Sequence, residues 1–351
     1  MTPLRDEPKI VSMAHTLGIH SGDRVEAIRN HCLARVRVLM GRLGHISSID
    51  TLQRGMCEQL NVAMIEVWND ADIDEIIELY ARGEHDPAFG NLRRELTADT
   101  FATLIQCKTR TERGEFRYVA AIDCRTPEKA ARRTFSGWHE IAHVLTTVAQ
   151  LQFPLHRSTA KKDAVEKLMD LIAGDIGFYD GLFTPVLKDE LASEGNLTFA
   201  VAERVRDRFC PTASMEATLN ACATNTLEPI FTLQATMRYK AAEERAIASL
   251  QGELLPSEAP KPALRVAKVV ANPAARLRGL HLPRNMRVPL GSVITTAMRE
   301  AEGHSSLTAV ENLNWWRSSD GTAFKNEPLR VEAIKVRGSV YAIIRVLGVR
   351  V

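Results

Sequence analysis

The five residues His139-Glu140-Ile141-Ala142-His143 restrict what this chain can fold into more tightly than any other stretch. Two His at i and i+4 lie one turn apart on the same side of an α-helix. To act together they need a helix that holds that side at the margin of a core. Trp138, Ile141, Ala142, Leu145 and Val148 recur at helical spacing and supply the apolar face, with His139 and His143 beside it. Upstream, residues 116 to 123 form a mostly apolar run bounded by Gly114 and Pro127, which reads as a strand. Thr126-Pro127-Glu128 carries a helix start: a capping hydroxyl, Pro at the first helical position, then an acid. Gly137 is expected to break that helix just before the motif.

H-E-x-x-H on a helix lets two imidazoles offer nitrogens to one Zn²⁺ while the Glu takes a proton from a water held there. On these five letters alone, the competing account is a surface helix whose His and Glu are simply solvated. A catalytic zinc takes three protein ligands and keeps one position open, and Glu166 is the best candidate for the third. From Asp163 to Tyr179, Val165, Leu168, Ile172 and Ile176 share one face, so the segment reads as a second amphipathic helix. Glu166 and Asp170 are again i and i+4 on it. Asp163-x-x-Glu166 also resembles a capping box, which gives Glu166 an alternative role, and Asp170 is an alternative ligand with Glu166 behind it. Glu140 is expected to act as general base. Tyr179, His156 and Arg157 are the candidates for a side chain that stabilises the tetrahedral oxyanion, with Tyr179 preferred. The strand from Tyr118 to Asp123 is expected to offer an edge to which a substrate peptide adds.

The E-x-x-x-D pattern downstream of H-E-x-x-H resembles the gluzincin arrangement, in which the Glu ligates zinc and the Asp hydrogen-bonds a ligand His. Taken together, Arg133-Thr134-Phe135-Ser136-Gly137-Trp138 before the motif, Glu166 to Ala173 after it, and then Pro185 resemble the ImmA/IrrE family of metallo-endopeptidases. The likeness covers about residues 55 to 245 in order. Ala142 stands where that family often has Gly, and the segment from Gly177 to Pro185 is longer than the family's usual helix end. The resemblance implies a zincin-like domain and zinc-dependent cleavage of a regulatory protein in bacteria. The expected substrate is a DNA-binding repressor whose loss switches on a stress or mobile-element programme. An expectation of another class is a catalytically silent zinc-binding module that sequesters its partner.

The net charge of +2 argues against direct nucleic-acid binding. No run of about 18 uncharged apolar residues is present, so no membrane span is expected. The N-terminus lacks the basic-then-apolar order of a signal peptide. The six Cys are widely spaced without C-x-x-C and read as reduced thiols, so a cytoplasmic location is expected.

Four parts are expected: an N-terminal helical segment 1–54, a mostly helical zincin-like domain with a small sheet at 55–251, a Pro-rich linker 252–263, and a small α+β domain 264–351. The fold class is α+β. Within it, helices are expected at 22–44, 48–60, 70–84, 89–107, 200–209, 214–227, 230–250 and 294–302. Strands are expected at 60–68, 264–270, 313–316, 329–336 and 340–346, with turns at 108–113 and 335–339. Trp315-Trp316 reads as buried core.

Overall fold

The computed structural model describes residues 3–43, 46–112, 114–147, 155–158, 164–250, 261–302, 305–317 and 321–348. The fold is α+β and divides into two compact units, residues 1–186 with 205–217, and residues 187–204 with 218–351. Among the described residues no helix is long and apolar enough to cross a membrane.

The first unit opens with helices α1 (Pro8–Thr16), α2 (Arg24–Leu43) and α3 (Ile49–Gln59). Ser48 caps α3 by accepting from the Thr51 amide. The expected separate N-terminal segment is therefore part of this unit. Strand β1 (Val62–Val67) follows, then α4 (Asp70–Ile76), continued by a π-helical stretch Ile77–Gly83, and α5 (Leu92–Glu95). Strands β2 (Thr100–Arg110) and β3 (Phe116–Asp123) lead to α6 (Pro127–Ala130) and α7 (Arg133–Thr146); β4 (Leu155–Ser158) precedes α8 (Ala164–Gly177). The sheet order is β1-β3-β2-β4, with β1 parallel to β3 and the other pairs antiparallel. Because β3 lies inside the sheet, it offers no edge, contrary to the sequence expectation; the edges are β1 and β4.

Strand alternation sorts the two faces of this sheet. Val67, Ile105, Cys107, Val119 and Ala121 pack with Ile73, Ile76, Tyr80, Phe89 and Leu92 on one face. The other face receives α7. There a Cβ on Gly137 would fall 2.7 Å from the Met64 sulfur, so glycine lets the helix approach β1 closely. Gly137 is thus a packing position inside α7. The break expected there lies instead at Ala131–Arg132, between α6 and α7.

Helices α9 (Asp180–Glu194), α10 (Phe199–Phe209) and α11 (Met215–Thr224) lie in the stretches where the chain passes from one unit to the other. The second unit then builds β5 (Ile230–Arg238), α12 (Ala241–Leu250), β6 (Ala263–Ala271), α13 (Pro273–Leu277), α14 (Val293–Arg299), β7 (Leu307–Asn312), β8 (Pro328–Val336) and β9 (Ser339–Val346). These five strands form one antiparallel sheet in the order β6-β5-β9-β8-β7. Since β5 is one of them, the domain boundary expected at 251 is displaced towards the N-terminus. Most of the expected linker 252–263, namely 252–260, lies outside the described residues. The turn expected at 335–339 is a two-residue hairpin loop with Arg337 and Gly338 both at positive φ.

Three further expectations are corrected. Residues 89–107 hold the short α5 and most of β2 rather than one helix. Residues 230–250 hold β5 before α12. The strand expected at 313–316 is a 3-10 turn, Leu313–Trp315, that follows β7. Trp316 is fully buried, while Trp315 is 45 % exposed.

Asn272 joins several parts of the second unit. Its side-chain oxygen accepts from the Ala275 and Ile230 amides at 2.9 and 3.1 Å, and its Nδ2 donates to the carbonyls of Ala223, Thr226 and Glu228 at 3.1, 3.2 and 2.6 Å. Asn272→Ala removes a helix cap and orphans buried backbone groups. It is expected to cost about 3 kcal/mol or more, measured by urea unfolding of the full chain; a loss under about 1 kcal/mol would contradict the role assigned to it.

Candidate metal centre

Helix α7 carries His139, Glu140 and His143, and all three are buried. Trp138 and Leu145 anchor the helix in the core. The close approach of Trp138 to Gly177, where a Cβ would sit 3.0 Å from the indole, brings α7 against α8. Glu166 lies in the first turn of α8 and Asp170 one turn later. Asp163, the cap expected for this helix, lies outside the described residues.

The three ligand candidates converge. His139 Nε2 and His143 Nε2 are 3.2 Å apart; Glu166 Oε2 is 3.1 Å from the former, and Glu166 Oε1 is 3.3 Å from the latter. Zinc–ligand bonds of about 2.0–2.1 Å in a tetrahedron set ligand atoms about 3.4 Å apart. The two imidazole nitrogens lie at about the separation of two tetrahedral zinc ligands, and the Glu166 carboxylate sets one oxygen against each of them, so this set of two nitrogens and one carboxylate fits a zinc ion. Among the described residues it is the group of His, Cys, Asp and Glu that could hold a metal.

Asp170 has a different position. Its Oδ1 lies 3.0 Å from His139 Nδ1. A proton on Nδ1 donated to this carboxylate leaves the Nε2 lone pair directed at the cluster, which fixes both the tautomer and the ring plane. The geometry therefore favours Glu166 as the ligand with Asp170 behind His139. His143 Nδ1 is buried and has no hydrogen-bond partner among the described residues. Burial pushes the Glu166 carboxyl up, but hydrogen bonds and charge from His139 and His143 outweigh it and hold the group far below the ordinary carboxylate range. Glu166 is thus an anion suited to a cation.

The oxyanion candidates are placed less favourably. Tyr179 follows the C-terminal end of α8, opposite to the end that carries Glu166. The helix from Glu166 to Gly177 runs about 16 Å, and the Tyr179 ring packs near Gly181. The structure does not bring Tyr179 to the cluster. His156 and Arg157 lie on β4, whose backbone pairs with β2 at Thr103 and Ala102; their side chains lie outside what the structure describes.

Sequence reasoning missed the polar supports at the two ends of the segment that carries the motif, before α7 and in its last turn. Asp123 ends β3 and accepts from Arg125 and from Lys129 Nζ, the latter at 2.7 Å. Thr146 and Thr147 donate their hydroxyls to the His143 carbonyl at 3.1 and 2.7 Å. The signal available was an acid at the end of an apolar strand followed closely by two cations.

No protein-family model matches the chain, and no curated protein shows significant similarity to its sequence.

Proposed function

We propose that this chain is a zinc-dependent endopeptidase of the ImmA/IrrE type, with a zincin-like catalytic unit acting on a specific regulatory protein in the bacterial cytoplasm. The observation that carries the reading is the convergence of His139, His143 and Glu166, whose ligand atoms lie within 4.8 Å of one another, beside a buried Glu140. A bound zinc supplies Lewis acidity that polarises the scissile carbonyl and acidifies water. Glu140 accepts the proton of the attacking water and delivers it to the amide nitrogen as the peptide bond breaks. His139 is held in register by Asp170, so that its Nε2 does not have to reorient. Two Thr hydroxyls secure the last turn of α7, where His143 sits. The substrate reading, a DNA-binding repressor, rests on the sequence resemblance alone.

The test is metal content and affinity. Purified wild type is expected to hold one equivalent of zinc. Glu166→Ala, which deletes one of three protein ligands, is expected to lose it on dialysis, and Asp170→Ala to bind about 10–100-fold more weakly. If wild type takes up no zinc on titration at neutral pH, the proposal fails. If Asp170→Ala loses the metal while Glu166→Ala keeps it, the two roles are exchanged.

A further inference from the structure

Helix α2 precedes the H-E-x-x-H segment by about a hundred residues, yet it bonds to both helices that carry the ligand candidates. Arg35 donates through Nη1 to the carbonyl of Leu145, in the last turn of α7 and two residues after His143. Arg29 makes a two-pronged pair with Asp175 of α8, Nε to Oδ2 and Nη2 to Oδ1, both at 2.7 Å. Arg29, Arg35 and Asp175 are partly buried, so these contacts lie within the packing of the three helices.

The two bonds differ in what they hold. Carbonyls in the last turn of a helix have no partner within the helix, and a guanidinium there satisfies one of them and complements the negative end of the helix dipole. Leu145 is fully buried, which limits water's ability to replace the donor. Arg35 therefore fixes the turn from which His143 projects. That turn matters because His143 Nδ1 has no partner among the described residues, whereas His139 is held by Asp170. Arg29 acts on α8 at Asp175, nine residues beyond Glu166, and so orients that helix as a body.

We infer that Arg35 is a positioning residue of the metal centre: through the Leu145 carbonyl it holds the last turn of α7, and thereby His143, at the bite that the triad requires. The N-terminal helix is then a working part of the site rather than an appendage. This inference rests on the zinc reading above, and its test separates the two.

The experiment measures zinc affinity by competition with a chromophoric chelator, and thermal unfolding of the metal-free form, for full-length wild type, Arg35→Ala, Arg35→Lys and Arg29→Ala. Arg35→Ala is expected to weaken zinc binding about tenfold or more, the range seen when an outer support of a ligand is removed. Arg35→Lys, which keeps a donor and a charge, should recover part of that loss. Arg29→Ala should lower the unfolding temperature with a smaller change in affinity, because its bond lies far from both imidazoles. Amide exchange at residues 143–147 should quicken in Arg35→Ala alone. If Arg35→Ala and Arg29→Ala shift stability alike while zinc affinity stays within twofold of wild type, α2 is only scaffold and the inference is overturned. Should Arg35→Ala not fold, Arg35→Lys decides the matter: unaltered affinity and unaltered exchange at 143–147 would also overturn it. Wild type that binds zinc with no response to either Arg35 substitution defeats this inference alone, whereas wild type that binds none removes the metal reading and this inference with it.

Discussion

Glu140→Gln is expected to keep its zinc and to lose hydrolysis by about 10²–10⁴-fold, the usual worth of a positioned general base. The substitution preserves shape, exchanges one acceptor oxygen for an NH2 donor, and removes the charge and the basicity. Glu140 is fully buried in α7, and a charge taken out of water carries a desolvation cost that a neutral amide of the same size avoids in large part. The variant should therefore unfold at the same temperature as wild type or higher, which separates lost chemistry from lost structure. The measurement works with an unidentified substrate. Zinc-loaded wild type and Glu140→Gln are each incubated with a bacterial cell extract, and newly created protein N-termini are identified and timed. A cleavage made by wild type and slowed at least a hundredfold in the variant supports the endopeptidase reading. A variant that cuts within threefold of wild type removes Glu140 from the mechanism. If neither protein cuts, but both retain the same partner through a zinc-loaded site, the silent sequestering module is the better account.

The parts of the site set by helical periodicity were legible in the sequence. The i, i+4 spacings of His139 with His143 and of Glu166 with Asp170 fix which side chains share a face, and tertiary packing has only to bring two helices together. The strands were harder to read because of burial. Both faces of β2 are covered over Phe101–Ile105, so its apolar residues form a continuous run in which a period of two cannot be distinguished from one of 3.6. The start of β5, Ile230 to Leu233, is buried on both faces as well, so its pattern runs without a break into that of the helix that follows it. Membership of the sheets could not be read at all, since β5 joins strands on the far side of the Pro-rich stretch. The same holds for the long-range supports. Arg29 and Arg35 look like solvated positions of an Arg-rich helix, and only the fold shows that they bond to residues 146 and 110 positions away. Tyr179 lies at the end of α8 remote from Glu166, which the length of that helix sets and which no local pattern reveals.

The largest loss of stability in the first unit is expected from Asp123→Ala, at about 3–5 kcal/mol, because it leaves the buried Lys129 ammonium without its anion. Asp123 is fully buried at the end of β3. Its Oδ2 accepts from Lys129 Nζ at 2.7 Å and from Arg125 Nη2 at 2.8 Å, and its Oδ1 accepts from the Arg125 amide and Nε, both at 3.0 Å. Lys129 also donates to the Thr97 carbonyl, and Arg125 to the Leu96 carbonyl and to Asp70. The cluster therefore ties β3, the α5–β2 turn and α4 to the short helix that leads into α7. Burial pushes the Asp123 carboxyl up, but hydrogen bonds from Arg125 and Lys129 and the Lys129 charge outweigh it, so the group stays below its ordinary range. A carboxyl whose folded-state pKa is depressed contributes its stability above the unfolded value, about 3.9, and loses it as pH falls through the folded value. The difference in unfolding free energy between wild type and Asp123→Asn should therefore be full at pH 7 and narrow below about pH 4. Urea unfolding at pH 7, 5, 4 and 3 measures it. A gap that does not change with pH would show that the charge is not what holds the cluster. Adding Lys129→Met to Asp123→Ala should restore part of the lost stability, because removing both buried charges costs less than stranding one. If the double variant is less stable than Asp123→Ala alone, Lys129 acts through its bond to Thr97 and not through its charge.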